Sequence, residues 1–419
     1  MVKTKSLALA LGALALAACA DMETTAPIGE GPSFARSGAA ESGYILLGSG
    51  GGLPASLEAD VAAAGGTLTG TLAQVGVAFA TSSSPGFANK AGRINGVQGV
   101  AEDVYYQWVD QTPRAPEVSL DALGDVEDMG HEVGGHETFR LMQWAPDAVS
   151  APDAWASGAR GAGARVAVLD GGINSSHIDI APNLDAGRSR SFVPGQPYNF
   201  DTGTFWHGTH VAGIVAAPAN ALGTVGIAPE ATIVGVKVLH NGSGSFSWIL
   251  QGIVYAATPT SAGGAGAHII NMSLGGAFWM HGKGTAGLAH LQAAVNQVVT
   301  WARQQGVLVV AAAGNDAIDL DHPAQIDLDT RNPENLVFIP AQSANALAVS
   351  ALGPMGWALG SMDLDRPASY TNFGQSAIDL AGPGGDFALP GEDPCTLPRL
   401  PSGTLTRPCW VFDMVMAPF

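Results

Sequence analysis

The stretch WHGTHVAGIVAA, Trp206 to Ala217, places His207 and His210 three residues apart at the mouth of a run of small apolar residues. Such a run reads as a helix that lies close against a sheet, and the flanking sequence supplies the sheet. RVAVL (165–169) precedes it; TIVGVKVL (232–239), HIINMSL (268–274), VLVVAAA (307–313), ALAVSAL (346–352) and AIDLA (377–381) follow. Helical patterns in SWILQGIVYAA (247–257) and from Ala286 to Gln305 separate several of them. Continuous apolar strands alternating with helices predict an α/β fold, a doubly wound parallel sheet with helices on both faces.

The 419 residues, 47% hydrophobic and with 56 glycines, leave room for two or three domains. A formal charge of −18, from 18 basic against 36 acidic residues, argues against a nucleic-acid partner, which calls for a basic patch. Charged residues make up only 13%, so the acidic excess is thinly spread. At the N-terminus, Lys3 and Lys5 precede the apolar run Ser6 to Ala18, which is too short to span a bilayer and fits a signal peptide. Leu16-Ala17-Ala18-Cys19 resembles a bacterial lipobox, in which Cys19 is lipidated; an ordinary secretory signal is the alternative. Either places the remainder in an extracellular or periplasmic compartment, with membrane contact only through a lipid anchor. With Cys19 assigned to the anchor, Cys395 and Cys409 are left as a disulfide pair in an oxidising compartment, or as two unrelated thiols. A loop of that length contributes about 3 kcal/mol in the chain-entropy model.

Residues 1–19 are thus read as the signal peptide and 20–40, rich in Thr, Gly, Pro and Ser, as a tether. Residues 41–110 alternate short strands and helical pieces: YILLGS, LPASLEADVAAAGG, TLTGTLAQVGVAFAT, SPGFANKAGRI and a last strand around GVAEDVYYQW. Residues 111–140 carry Pro113, Pro116 and little hydrophobic pattern, and read as an exposed linker open to processing; the large domain runs from 141 to 419.

Asp170 ends the strand ARVAVLD and is followed by Gly171 and Gly172, which sets its carboxylate at the strand end where α/β sites gather. The pair at His207 and His210 is an HxxH, but metal-binding histidines on a helix sit four apart around a glutamate, and here Gly208 and Thr209 intervene. A glycine-bearing strand end at NMSLGG (271–276) lets a peptide approach and add as a strand.

In this order, VAVLDGG, HGTHVAG and VVAAAGN resemble the blocks of the subtilisin-type serine proteases, the subtilases of peptidase family S8. The resemblance implies a subtilisin-like fold, polypeptide substrates and a monomer that needs no cofactor. It implies that His207 is the general base, that Asp170 orients it, that His210 is a core residue and that Asn315 stabilises the oxyanion. Ser273, Leu274 and Gly275, with Ala313 and Gly314, would line the substrate, and the two glycines suggest a roomy pocket. Three positions depart from the family pattern: Gly171 for Thr or Ser, Trp206 for Gly, and Gly382 for Ala. Residues 41–110 resemble the small α+β, ferredoxin-like propeptide of I9 type that serves as chaperone and intramolecular inhibitor. Calcium as a structural ion is a family trait, and Asp179 resembles a ligand position.

SYTNFG (369–374) and IDLAGPGGD (378–386) resemble the approach to the family's serine block. That block itself is missing: Ser402-Gly403-Thr404 is followed by Leu405 in the nucleophile's place, and Arg407-Pro408 is unsuited to the helix that should follow. The expectation is a secreted or lipid-anchored serine endopeptidase precursor, C-terminally truncated before its nucleophile and inactive as given. Two alternatives stay open: a catalytically dead surface lipoprotein that binds peptides, and an inhibitor in which only the small domain functions.

Overall fold

The computed structural model describes residues 41–109, 135–202, 205–280, 287–323 and 336–418. The signal segment, Cys19, the tether and residues 110–134 of the linker lie outside the described residues. No helix among the described residues is long and apolar enough to cross a membrane.

The first unit is built from β1 (Ser42–Gly48), α1 (Leu57–Ala64), β2 (Thr67–Leu72), β3 (Val77–Ser82), α2 (Phe87–Ala91) and β4 (Val97–Glu102). Its four strands form an antiparallel sheet in the order β2-β3-β1-β4, the split βαβ arrangement of ferredoxin-like domains. YILL and VAFA are apolar without a break because both faces of these strands are buried. Tyr44, Leu46, Ala78 and Ala80 point at α1 and α2, with Leu57, Val61 and Phe87. Ile45, Leu47, Val77 and Phe79 point the other way, into the core of the second unit. Each such side chain contributes about 1.5–3 kcal/mol when fully buried, so the two units are held together by a shared core.

The second unit opens with α3 (Ala145–Ala148) and α4 (Ala151–Ala156). Ahead of β6 (Arg165–Asp170) lies the short β5 (Tyr105–Gln107), which closes the first unit; β7 (Arg190–Ser191), α5 (Phe205–Ala216), β8 (Thr232–Lys237) and β9 (Ser243–Ser245) follow β6. Then come α6 (Phe246–Ala257), β10 (Ile269–Met272), β11 (Gly276–Trp279), α7 (Leu288–Gln304), β12 (Leu308–Ala312), β13 (Leu336–Ile339) and β14 (Ala346–Leu352). The unit ends with β15 (Leu380–Pro383) and the hairpin of β16 (Pro394–Pro398) and β17 (Thr404–Pro408).

Seven strands make one parallel sheet in the order β15-β14-β12-β10-β6-β8-β7. Val168 and Ile233 face α5, through Val211, Ala212 and Ala216. Ala167, Leu169, Val234 and Val236 face the other layer, α6 and α7. This is the doubly wound α/β class that the sequence predicts.

Two boundaries differ from expectation. Glu137, Thr138 and Phe139 are buried, so the folded second unit resumes by residue 135 and the exposed linker does not extend to 140. The last parallel strand starts at Leu380 and runs to Pro383, so only the end of the AIDLA run is strand; just ahead of it Asp379 accepts the Ala348 amide on its carboxylate at 2.8 Å. Cys395 and Cys409 form a disulfide across the β16/β17 hairpin, and both pack on Phe139 and Met142.

Candidate functional site

The strands β6, β10 and β12 are neighbours, and at their carboxyl ends the chain places Asp170, Ser273 and Asn315. Asp170 is almost wholly buried; its Oδ1 accepts the Gly171 amide at 2.6 Å and its Oδ2 lies 2.8 Å from His207 Nδ1. α5 starts at Phe205, so His207 sits inside its first turn rather than ahead of it. Burial opposes the imidazolium, but the Asp170 charge and hydrogen bond outweigh it and hold the His207 pKa above the ordinary histidine value. An imidazole that donates Nδ1–H to a carboxylate keeps Nε2 free to take a proton, the arrangement a general base needs.

His210 follows in the same helix and is half-buried, not a core residue. Burial and then the neighbouring His207 push it down to about 4, against a raising contact from the Val415 backbone, so it stays neutral. Gly208, between the two histidines, is set by contact: a Cβ there would overlap the Gly172 carbonyl oxygen and press on Asp170 Cβ at 3.1 Å. Gly208→Ala is therefore expected to push α5 off the end of β6, at a cost of about 1–3 kcal/mol, and to break the His207–Asp170 bond. Thermal denaturation and the downfield proton signal of that bond check both effects.

Asn315 is exposed at the end of β12, and its loop is held from behind by Asn372. The fully buried Asn372 side chain donates to Ala313 O at 2.9 Å and accepts the Asp316 and Ile318 amides at 2.9 and 3.1 Å. Gly314 adopts φ +105°, and a Cβ there would overlap Asn372 Nδ2. Gly314 thus makes room for Asn372. Asn372 lies inside SYTNFG, where a polar residue framed by aromatics ahead of a glycine is the only signal of this part.

The peptide edge is occupied by the chain itself. β5 pairs antiparallel with β9, Tyr105 opposite Ser245 and Gln107 opposite Ser243. Beyond it the Trp108 and Val109 amides donate to Gly242 O at 2.8 and 3.1 Å, while Trp108 O accepts from Gly275 N at 3.4 Å. Residues 105–109 are therefore an added strand between two glycine-bearing edges. Trp108, 4% exposed, donates its indole N–H to Gly244 O at 2.8 Å and packs against Phe246 and Phe278 at 4.9 and 5.7 Å. Leu274 is buried in that same apolar cluster, whereas Ser273 is half-buried and hydrogen-bonded to Asn271 at 2.9 Å. The Gly242–Ser245 edge was missed because GSGS has no apolar period.

Among the described residues no serine hydroxyl is hydrogen-bonded to His207. Ser402 and Gly403 lie in the turn of the β16/β17 hairpin, Thr404 opens β17 opposite Pro398, and Leu405 pairs with Leu397 across the ladder.

Asp179 is fully buried, its Oδ2 taken by the Thr224 amide at 2.9 Å and its Oδ1 without a hydrogen bond. Burial, helped by the Glu137 charge, raises its pKa from 3.8 to about 7, although the Thr224 hydrogen bonds pull the other way. Glu137 Oε2 is likewise buried without a hydrogen bond. Two such oxygens suit a hard cation, although no cluster of three or more metal-ligating side chains exists among the described residues.

A family model for the subtilase family matches residues 161–408. The chain is 39% identical over 248 residues to alkaline elastase YaB of Bacillus sp. strain YaB, covering 59% of this chain and 52% of that one. It is 37% identical over 244 residues to subtilisin Savinase of Lederbergia lenta, covering 58% and 72%. The chain spans about half the length of the first curated relatives it matches. In fold it is similar to the epidermin leader peptide processing serine protease of Staphylococcus aureus, with TM-score 0.63, 18% identity and coverage of 90% and 86%. It is also similar to fervidolysin of Fervidobacterium pennivorans, described as a keratinolytic enzyme related to subtilisin, with TM-score 0.59, 18% identity and coverage of 89% and 53%.

Proposed function

This chain belongs to the subtilase family, and on that premise we propose that it is the precursor of a secreted or lipid-anchored serine endopeptidase that keeps itself inhibited. His207 takes the proton of a serine nucleophile, Asp170 holds the imidazole in the required tautomer, and Asn315 donates to the oxyanion. The nucleophile is assigned to a serine outside the sequence given. The single observation that carries the reading is the 2.8 Å contact of His207 Nδ1 with Asp170 Oδ2 at the mouth of an edge already holding a peptide strand. In this reading residues 41–110 are the propeptide, and residues 105–109 block the substrate groove until the linker is cut. Cleavage also frees the protease from the lipid on Cys19. Hydrolysis of casein by the natural gene product, abolished by a fluorophosphonate, is the expected result; intact casein after linker cleavage contradicts it.

The reading fixes a pH dependence. The base works only as neutral imidazole, and Asp170 raises its pKa, so kcat/KM should fall with decreasing pH through a value above the ordinary ~6.5. Asp170→Asn removes the raising partner and should move that limb below 6.5; a pH–rate profile of both proteins measures it.

We further propose calcium as a structural ion, held by Asp179 and Glu137 together with main-chain carbonyls. Without a cation, Asp179 binds its proton in the fold and releases it when unfolded. Its stabilisation is then complete below pH 3.8 and lost as pH rises towards about 7, roughly 4 kcal/mol at most. The melting temperature in chelator is expected to fall across that window, and calcium to remove the fall.

A further inference from the structure

Lys237 is the register partner of Asp170 at the ends of β8 and β6, and its side chain is wholly buried. Its Nζ donates to Gly171 O and lies 3.5 Å from Asp201 Oδ2, on a side chain buried just as completely. A buried ion pair is a poor source of stability, since desolvation offsets most of the attraction and an apolar side chain of like volume serves as well. Its contacts point to a geometric role.

Three segments meet at this pair. Gly171 donates its amide to Asp170 Oδ1 and presents its carbonyl, one peptide unit further on, to Lys237, so the Lys237 grip restrains the residue whose amide holds the carboxylate that faces His207. Asp201 lies on the lead into α5, which carries His207, and accepts the Thr202 amide at 2.7 Å. The same carboxylate accepts the Asn241 amide at 2.9 and 3.0 Å and has His240 Nδ1 at 3.0 Å, in ion-pair range but outside hydrogen-bond geometry. Asn241 adjoins Gly242, whose carbonyl receives the Trp108 and Val109 amides.

We propose that Lys237 and Asp201 are positioning residues: the pair ties the peptide-binding edge at Gly242 to the Asp170–His207 pair. The proposal rests on the assignment of those two residues as acid–base machinery. Lys237 restrains Gly171, the residue whose amide orients Asp170, and Asp201 keeps the Gly242 neck in register with it. Burial lowers the Lys237 pKa on balance, against the raising charges of Asp201 and Asp170.

The test compares Lys237→Met, Asp201→Asn and the double variant with wild type, by thermal denaturation, by peptide hydrolysis in the natural gene product, and by the downfield proton signal of the His207–Asp170 bond in the 419-residue chain. Lys237→Met strands the Asp201 charge and is expected to lower the melting temperature; the double variant removes that charge and restores it. The double variant is nevertheless expected to lose kcat by about 10–100-fold and to broaden or lose the downfield signal, because the Gly171 carbonyl is no longer held and the residue next to Asp170 is freed. Asp201→Asn is expected to act more on KM than on kcat. A double variant with wild-type stability, kcat and downfield signal overturns the proposal and leaves the pair as filling. If wild type shows no hydrolysis, the endopeptidase reading fails by itself, and the downfield signal still decides the positioning role.

Discussion

Replacing His207 by alanine is expected to lower kcat for peptide hydrolysis by about a millionfold while changing KM little. That figure belongs to subtilisin, a member of the same family, and is carried over to this chain. The structure explains why no neighbour can take the place of His207. His210 is pushed down to about 4 and is a poor proton acceptor, and Lys237 is occupied by Gly171 and Asp201. Asp170→Asn should cost about ten-thousandfold, since the imidazole then loses both its tautomer and its raised pKa. Loss of kcat with unchanged KM marks a group that acts only in the transition state; a loss carried mainly by KM would place His207 in binding instead.

Trp108→Ala is expected to release the strand at residues 105–109. Its indole is 4% exposed, hydrogen-bonded to Gly244 O, and packed on Phe246, Phe278 and Tyr106. Truncating a buried tryptophan costs about 3–5 kcal/mol, which is on the order of a hundredfold to several thousandfold in the opening equilibrium. Hydrogen exchange at the amides of Gln107 and Trp108 should speed up by about that factor in the full chain. Amides in β1, held by its own helices as well as by α7, should change much less. Equal acceleration in both places would mean that the small domain leaves as one body and that Trp108 is no separate anchor.

The parallel sheet was legible because its strands are buried on both faces and therefore read as unbroken apolar runs, from RVAVL to ALAVSAL. Asp170 and His207 were legible because glycines and small residues frame them at a strand end and a helix mouth. The short ladders were not. β9 and β5 have three residues each, too few for a period, and they pair only because two distant segments are brought side by side. For the same reason Asn372 and the Lys237–Asp201 pair were invisible: each acts across a long sequence separation on backbone groups that no residue pattern records. The buried start at Glu137 to Phe139 was hidden by its charged and polar neighbours, and its partners lie in the β16/β17 hairpin and at Gly223.

The assignment of nucleophile, base and blocking strand meets in one measurement: mass-spectrometric mapping of a fluorophosphonate adduct on the natural gene product, before and after proteolytic removal of residues 41–110. The expected result is one modified serine, outside the sequence given, labelled after removal, weakly before it, and not at all in His207→Ala. Absence of any adduct after removal, or an adduct that forms equally well in His207→Ala, would contradict it.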